Sequence, residues 1–518
     1  MSRSTECEVL VAGAGPTGLM LALWLARLGV RVRIIDKTDA PGTTSRALVV
    51  HARTLEFFQQ LGIADEALAR GRRFTGMRLW AHGECRGRVM LGDIGKGLSP
   101  FPFMLILPQD EEERLLIETL RELGVEVERR TELASFDNRA EEVDTRLRLP
   151  DGNEEACICA YLAGCDGAHS AVRHGLDVGF PGAAYSHMFY VADVRARGAV
   201  VNDELNLALD TSDFLAVFPL PGEGNARLIG TIKRSVEEEG RAQLRWEDVS
   251  HTILDHLKLE VERVNWFSTY HVHHRVASAF RAGRAFLLGD AAHIHSPVGG
   301  QGMNTGLGDA VNLAWKLAMV VGGRADPRLL DTYEPERIAF ARRLVATTDR
   351  AFTFVTRDGA IARVVREDIV PRVLPEILRV DAARRFMFRT VSQTMIEYRA
   401  SALSSGRAGG VHGGDRLPWT GDNFDALQSL QWQAHVYGRA SEALVETSRR
   451  LALALHTFAW TEAAERAKLL EGALYVVRPD GYVALADPDA DPARLGAWID
   501  KLGARVSFAR QRTTKDLP

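Results

Sequence analysis

The chain has 518 residues, 46% hydrophobic and 25% charged, the proportions of an ordinary globular protein of two to four domains. Its net charge of −4 and isoelectric point near 6.5 provide no basic field for nucleic acid or an anionic membrane. The five cysteines are odd in number and irregularly spaced, a poor disulfide framework without metal-ligand spacing, so a reducing cytoplasmic setting is expected.

In chain order, "CEVLVAGAG" reads as a strand buried on both faces, "LMLALWLARLG" as a helix and "VRVRIID" as a second strand. Val9 to Ala26 carries no charge for eighteen residues, close to a membrane span, but Gly13, Gly15, Pro16 and Gly18 interrupt its first half. Strand, turn and helix explain it better, so no membrane span is expected. The turn "GAGPTG" has G-x-G-x-x-G spacing, and Asp36 follows Gly13 by 23 positions, near the roughly 20 expected of a ribose-binding carboxylate. Gly13 would make the turn, Gly15 admit a pyrophosphate and Gly18 let helix pack on strand. The helix N-terminus, with Pro16 and Thr17, would offer N–H groups to phosphate. An acid at position 36, followed by Lys37, favours a free ribose hydroxyl and hence FAD or NAD.

Two later strands also end in an acid and a helix start: "YLAGCDGAHSAVR", with Asp166, and "RAFLLGDAAH", with Asp290. Between them, "FYVADVRAR", "LNLALD", "FLAVFPLP" and "ARLIGTIK" alternate as antiparallel strands with one face covered. After Asp290 the glycines accumulate in "HSPVGGQGMNTG", where they either turn the chain or admit close approach of a ligand. Residues 346–400 read as helical. Composition shifts near "GGVHGGDRLPWTGDN", and "GALYVVRPDGYVAL" reads as a hairpin turning through Pro479, Asp480 and Gly481. The tail has no cysteine, so thioredoxin-type redox chemistry is excluded there.

The segments "GAGPTG", "DGAHSAVR" and "GDAAHIHSPVGGQGMNTGLGDAVNLAWKL" resemble the three signature motifs of single-component FAD-dependent aromatic hydroxylases, the para-hydroxybenzoate hydroxylase-like superfamily. "TVSQTMIEYRASAL" and "GDRLPW" resemble its phenol, hydroxyphenylpropionate and polyketide hydroxylase branch. The resemblance implies an α/β (α+β overall) protein: a Rossmann-like FAD-binding domain from residues 1–75, 105–178 and 275–345, and a substrate-binding antiparallel-sheet domain from 76–104 and 179–274. A helical connection over 346–419 and a thioredoxin-like tail over 420–518 would follow. It further implies that Gly13, Gly15, Pro16, Thr17, Gly18, Asp36, Lys37, Arg46, Gln109, Asp166, Asp290, Pro297, Gly299, Gly300, Gly302, Met303 and Asn304 surround FAD. NADH or NADPH would bind transiently, dioxygen would react through a flavin hydroperoxide, and a small aromatic substrate would be hydroxylated by a monomer or homodimer.

Phe189, Phe214, Phe218 and Trp266, with Phe267, are the candidate lining of an apolar pocket, each with core packing as the alternative. Tyr185, His187, His271, His273 and His274 are candidate bases for phenol deprotonation, and Arg275 matches a family position near the flavin. His293 and Arg173 also read as structural. Rival readings are the same fold doing epoxidation, Baeyer–Villiger-type oxidation or reduction, and a non-catalytic binding protein of the GDP-dissociation-inhibitor kind.

Overall fold

The computed structural model describes residues 7–42, 47–209, 214–232, 244–249, 251–296, 298–356, 365 and 369–503. The opening stretch folds as its pattern dictates. Cys7–Ala12 is a strand, Pro16–Arg27 a helix and Val32–Asp36 a parallel second strand, with Val9 opposite Val32 on one side and Tyr161 on the other. Val9, Leu10 and Val11 are wholly buried, as a central parallel strand covered on both faces requires. The rest of this eight-stranded sheet includes Glu154–Gly164, Ala285–Leu287 and Val127–Arg129, so strands distant in sequence bring Gly13, Asp36, Asp166 and Asp290 to one edge. Cys157 and Cys159 are both buried in it, as packing residues.

A second eight-stranded sheet runs in the order His293–Ile294, Glu260–Val276, Gly182–Arg197, Asn225–Ile232, Phe214–Pro219, Leu205–Leu209, Gly76–Ala81 and Glu84–Met90. All its pairings are antiparallel except Leu205–Leu209 with Gly76–Ala81. Its two faces enter different cores. Phe189, Val191 and Ile229 join the main core, whereas Tyr190, Ala192 and Leu228 join a separate cluster with Trp80 and Leu254. This follows from strand alternation.

The Gly302–Val321 helix is buried on nearly every side and links the main core to the C-terminal region. Ala310, Leu313 and Leu317 pack in the first core; Trp315 and Met319 pack with Trp432, Leu474 and Val476 of a third, six-stranded sheet. In that sheet Leu474–Val477 and Val483–Asp487 form the antiparallel pair expected around residues 479–481. Among the described residues no helix is long and apolar enough to cross a membrane.

Candidate functional site

The residues around the first turn leave room for a ligand at one glycine only. Gly13 has φ +101°, and a Cβ there would strike the backbone of Cys165 and Asp166. A Cβ on Gly18 would overlap the Gly13 carbonyl oxygen, so this glycine sets the contact between helix and strand. Gly15 differs: no protein atom lies within 4 Å of where its Cβ would be. It is also the N-cap of the Pro16–Arg27 helix, with no side chain capping the first N–H groups. An open, uncapped helix N-terminus behind a glycine fits a diphosphate.

Asp36 ends the second strand and ties the turn to it. Its Oδ2 accepts from the Ala14 N–H at 2.6 Å, and its Oδ1 accepts from the Thr38 N–H at 2.8 Å and hydroxyl at 2.6 Å. Lys37 is exposed beside it. Gln109 opens the Gln109–Glu122 helix and turns its amide onto Glu113 at 2.8 Å. Asp166 caps the Val172 N–H at 3.1 Å. Arg173 is buried, donates to the Ala291 and Ala168 carbonyls at 3.0 and 2.8 Å, and stacks 4.0 Å from the Phe180 ring centre. These contacts hold the two acid-bearing strand ends together. Asp290 itself is exposed at its strand end, accessible to hydroxyl groups of a ligand. Arg46 and Pro297 lie outside the described residues.

Thr17 sits in the packing between elements. A Cβ on either Gly289 or Gly306 would collide with its side chain, so Thr17 fixes how closely the first helix approaches the second glycine loop. In that loop Gly299 and Gly300 have φ +80° and +61°, and Gly302 and the half-buried Met303 start the long helix. Asn304 is buried with its amide fully used. It donates to the Val49 and Gly300 carbonyls at 2.8 and 2.9 Å, and accepts from the His51 N–H and Thr54 hydroxyl at 2.9 and 2.7 Å.

His51 is buried, and burial pulls its pKa down to about 4; the neutral ring donates from Nε2 to the Gly299 carbonyl at 2.8 Å. His293 bonds Asp309 at 2.7 Å, and Asp309 also accepts from the Gly289 N–H at 3.1 Å and Arg337 at 2.5 Å. Burial works against the Asp309 carboxylate, but Arg337 and His293 outweigh it and hold the group below the usual carboxylate range. His293 is therefore a structural partner of the loop. His51, Thr54, Asp309 and Arg337 are site residues that the sequence reading did not single out. Asp309 stood within the third segment that carried the family likeness, and for His51 a polar residue inside an apolar run was the available signal.

The aromatic candidates divide between two faces. Phe189 lies 6.5 Å from Phe214 and 5.9 Å from Tyr270, ring centre to ring centre, and Phe218 and Trp266 pack against the same main core. Phe267 is a correction: it stacks on Tyr190 at 6.0 Å on the opposite face, because it alternates with Trp266 along one strand. Tyr270 takes its place. The strand bearing Tyr270 is bonded at its far end to His293–Ile294, so the sheet with the aromatic face includes the short strand that precedes the glycine loop. Of the candidate bases, His273 and His274 are half-buried. The side chains of Tyr185, His187 and His271 lie outside the described residues. Arg275 is half-buried, 6.0 Å from the Phe180 ring centre.

A family profile described as "FAD binding domain" matches residues 6–348. The 6-methylpretetramide 4-monooxygenase of Streptomyces rimosus is 36% identical, over 96% of this chain and 93% of its own. The pentachlorophenol 4-monooxygenase of Sphingobium chlorophenolicum is 32% identical, over 80% and 76% respectively. The solved structure of an anhydrotetracycline hydroxylase from Streptomyces rimosus superposes with a TM-score of 0.77 at 28% identity, covering 96% of this chain and 99% of that one. The geometry is compatible with FAD: an open, uncapped helix N-terminus at Gly15, an accessible acid at Asp290 and a braced glycine loop.

Proposed function

Since the chain belongs to the FAD-binding-domain family and is an FAD-dependent aromatic monooxygenase, we propose that its substrate is a phenolic, fused-ring molecule of the polyketide type. The observation that carries this reading is the near full-length likeness to a monooxygenase named for 6-methylpretetramide, joined to a sheet face bearing Phe189, Phe214, Tyr270 and Trp266. In this reading residues 1–75, 105–178 and 275–345 carry the cofactor. Residues 76–104 and 179–274 supply the sheet over the ring to be oxidised.

Bound FAD supplies the redox chemistry, taking a hydride from NADH or NADPH and activating dioxygen for transfer of one oxygen atom to the ring. The chain supplies binding and order. The N–H groups of Gly15, Thr17 and Gly18 would hold the diphosphate, Asp36 the adenosine ribose and Asp290 the ribitol hydroxyls. The first turn of the Gly302–Val321 helix would offer its positive end to the flavin ring and stabilise negative charge there. The aromatic face excludes water and holds the substrate ring in line. His273 and His274 remain the described candidates for taking the phenol proton, with Arg275 next to them on the strand.

The test is NADH and NADPH oxidation by FAD-loaded protein with simple phenols and fused-ring phenols, measuring peroxide and hydroxylated product together. Coupled product from the fused-ring compounds is expected. Coupled turnover only with simple phenols would overturn the substrate class, and ketone insertion or epoxide products would overturn the reaction type.

A further inference from the structure

A buried polar network lies where residues 390–482 meet the Gly302–Val321 helix, which begins at the glycine loop, and the Ala52–Leu61 helix, which follows His51. Gln393 is at its centre. It is buried and left-handed, with φ +61°, a conformation that costs a non-glycine residue about 1–2 kcal/mol and persists only where the surroundings impose it. Its Nε2 donates to the Thr305 hydroxyl at 2.8 Å and to the Gln301 carbonyl at 3.3 Å. Gln301 is the N-cap of the Gly302–Val321 helix and the last residue of the loop. The adjacent Ser392 carbonyl accepts from the Arg53 N–H at 3.3 Å, in the first turn of the Ala52–Leu61 helix that follows His51.

The turn at residues 478–482 reaches both helices again. The Asp480 carbonyl accepts from Arg53 at 2.5 Å, and its Oδ2 accepts from the Trp315 indole N–H at 3.1 Å. Arg478 donates to Glu336 at 2.8 and 3.0 Å, and Glu336 also accepts from Asn312 at 2.7 Å and Lys316 at 2.9 Å. Gln60 donates to the Pro479 carbonyl at 2.8 Å. Tyr482 stacks 4.4 Å from Tyr398, whose hydroxyl accepts from Arg337 at 2.8 Å, and Arg337 in turn donates to the Thr305 carbonyl at 3.0 Å. Lys316, Glu336, Arg478 and Asp480 are essentially unexposed. Apolar packing of the same volume would stabilise the junction as well or better, because the cost of removing these charges from water offsets most of their mutual attraction. What a satisfied charge network adds is fixed geometry, and here the geometry it fixes is that of the two helices that close on the loop.

We propose that the C-terminal region clamps the cofactor loop, with Gln393 as a positioning residue that sets the Gln301 carbonyl and the helix start behind it. The proposal rests on the reading that this loop faces FAD. The experiment compares full-length wild type, Gln393→Met and Trp315→Phe. Each is stripped of FAD and titrated with FAD, with the visible flavin spectrum, the flavin reduction potential and thermal unfolding recorded. Gln393→Met keeps length and backbone preference but removes both donors, and Trp315→Phe removes one N–H at the far contact. The expected result is FAD binding about fivefold weaker for Gln393→Met, the equivalent of one hydrogen bond, with a shifted flavin spectrum and potential. Trp315→Phe moves them the same way by less, and it supplies the readout should Gln393→Met not fold. Unchanged affinity, spectrum and potential in the folded variants, with only the melting temperature lowered, would overturn the clamp while leaving the FAD reading intact. A wild type that takes up no FAD would overturn both.

Discussion

The two glycine turns of the site are held in opposite ways. Around residues 13–18 the chain closes on its own neighbourhood: Asp36 receives the Ala14 N–H, and Gly18 packs on the Gly13 carbonyl. Around residues 299–304 almost every brace comes from elsewhere, from His51, Val49 and Thr54 on one side and Gln393 on the other. The first turn takes its hydrogen bonds from within thirty residues, and only its packing, Gly13 on Cys165 and Asp166 and Thr17 on Gly289 and Gly306, comes from farther along the chain. The second is a loop whose shape depends on the assembly of the whole chain. A diphosphate cradle needs only backbone N–H groups and space, so a local unit suffices. A surface that must lie against a flat ring, with helix end and carbonyls in register, needs bracing from several directions.

This contrast can be broken or sharpened by substitution. The largest effect is expected for Gly18→Ala, where the added Cβ meets backbone with no flexible group to yield. Helix and strand must separate, and loss of folded protein is expected, read by expression yield and circular dichroism. Asn304→Leu should come next, at about 3 kcal/mol, since the His51 N–H and the Val49 and Gly300 carbonyls lose their partner in a buried place. Urea unfolding measures it. A loss below 1 kcal/mol would mean that the loop is not held as described.

Glu112, on the Gln109–Glu122 helix, tests whether locally built structure is free of strain. Both carboxyl oxygens are buried without a hydrogen-bond partner, and burial, with help from Glu113, pushes the group up to about 8 from an ordinary value of 4.5. A raised folded pKa means its contribution to stability is whole below about 4.5 and is lost as pH rises toward 8. Glu112→Gln should therefore raise stability by about 4 kcal/mol at pH 8 and change little at pH 4. A melting temperature difference that is the same at both pH values would refute this. The smallest effect on the fold is expected for Gly15→Ala, which meets nothing in the protein. Its stability without FAD should match wild type within about 0.5 kcal/mol, while FAD affinity falls about tenfold or more because the methyl group occupies the cradle. Equal affinity would remove Gly15 from the cofactor site.

The cofactor end of the site was therefore legible to different depths. Asp36 after Gly13 could be read from spacing because its contacts are short-range, and the residues 479–481 hairpin because proline, aspartate and glycine encode a turn. Thr17 lay in the right motif but is used to set packing against Gly289 and Gly306, a task that only the approach of two helices reveals. The split of Trp266 from Phe267 follows from strand alternation, yet which of them faces the main core depended on which side of the sheet the first domain covers.

By itself the sequence determined the βαβ unit, the family, the cofactor class and the positions of both glycine turns, because each of these is written in residues near one another in the chain. Tertiary structure alone decided that His51, Asn304 and Gln393 brace one loop, and that the C-terminal turn at Asp480 reaches the helices behind it. Those contacts join residues from about 90 to more than 400 positions apart, and no periodicity or local spacing records which buried polar group will meet which.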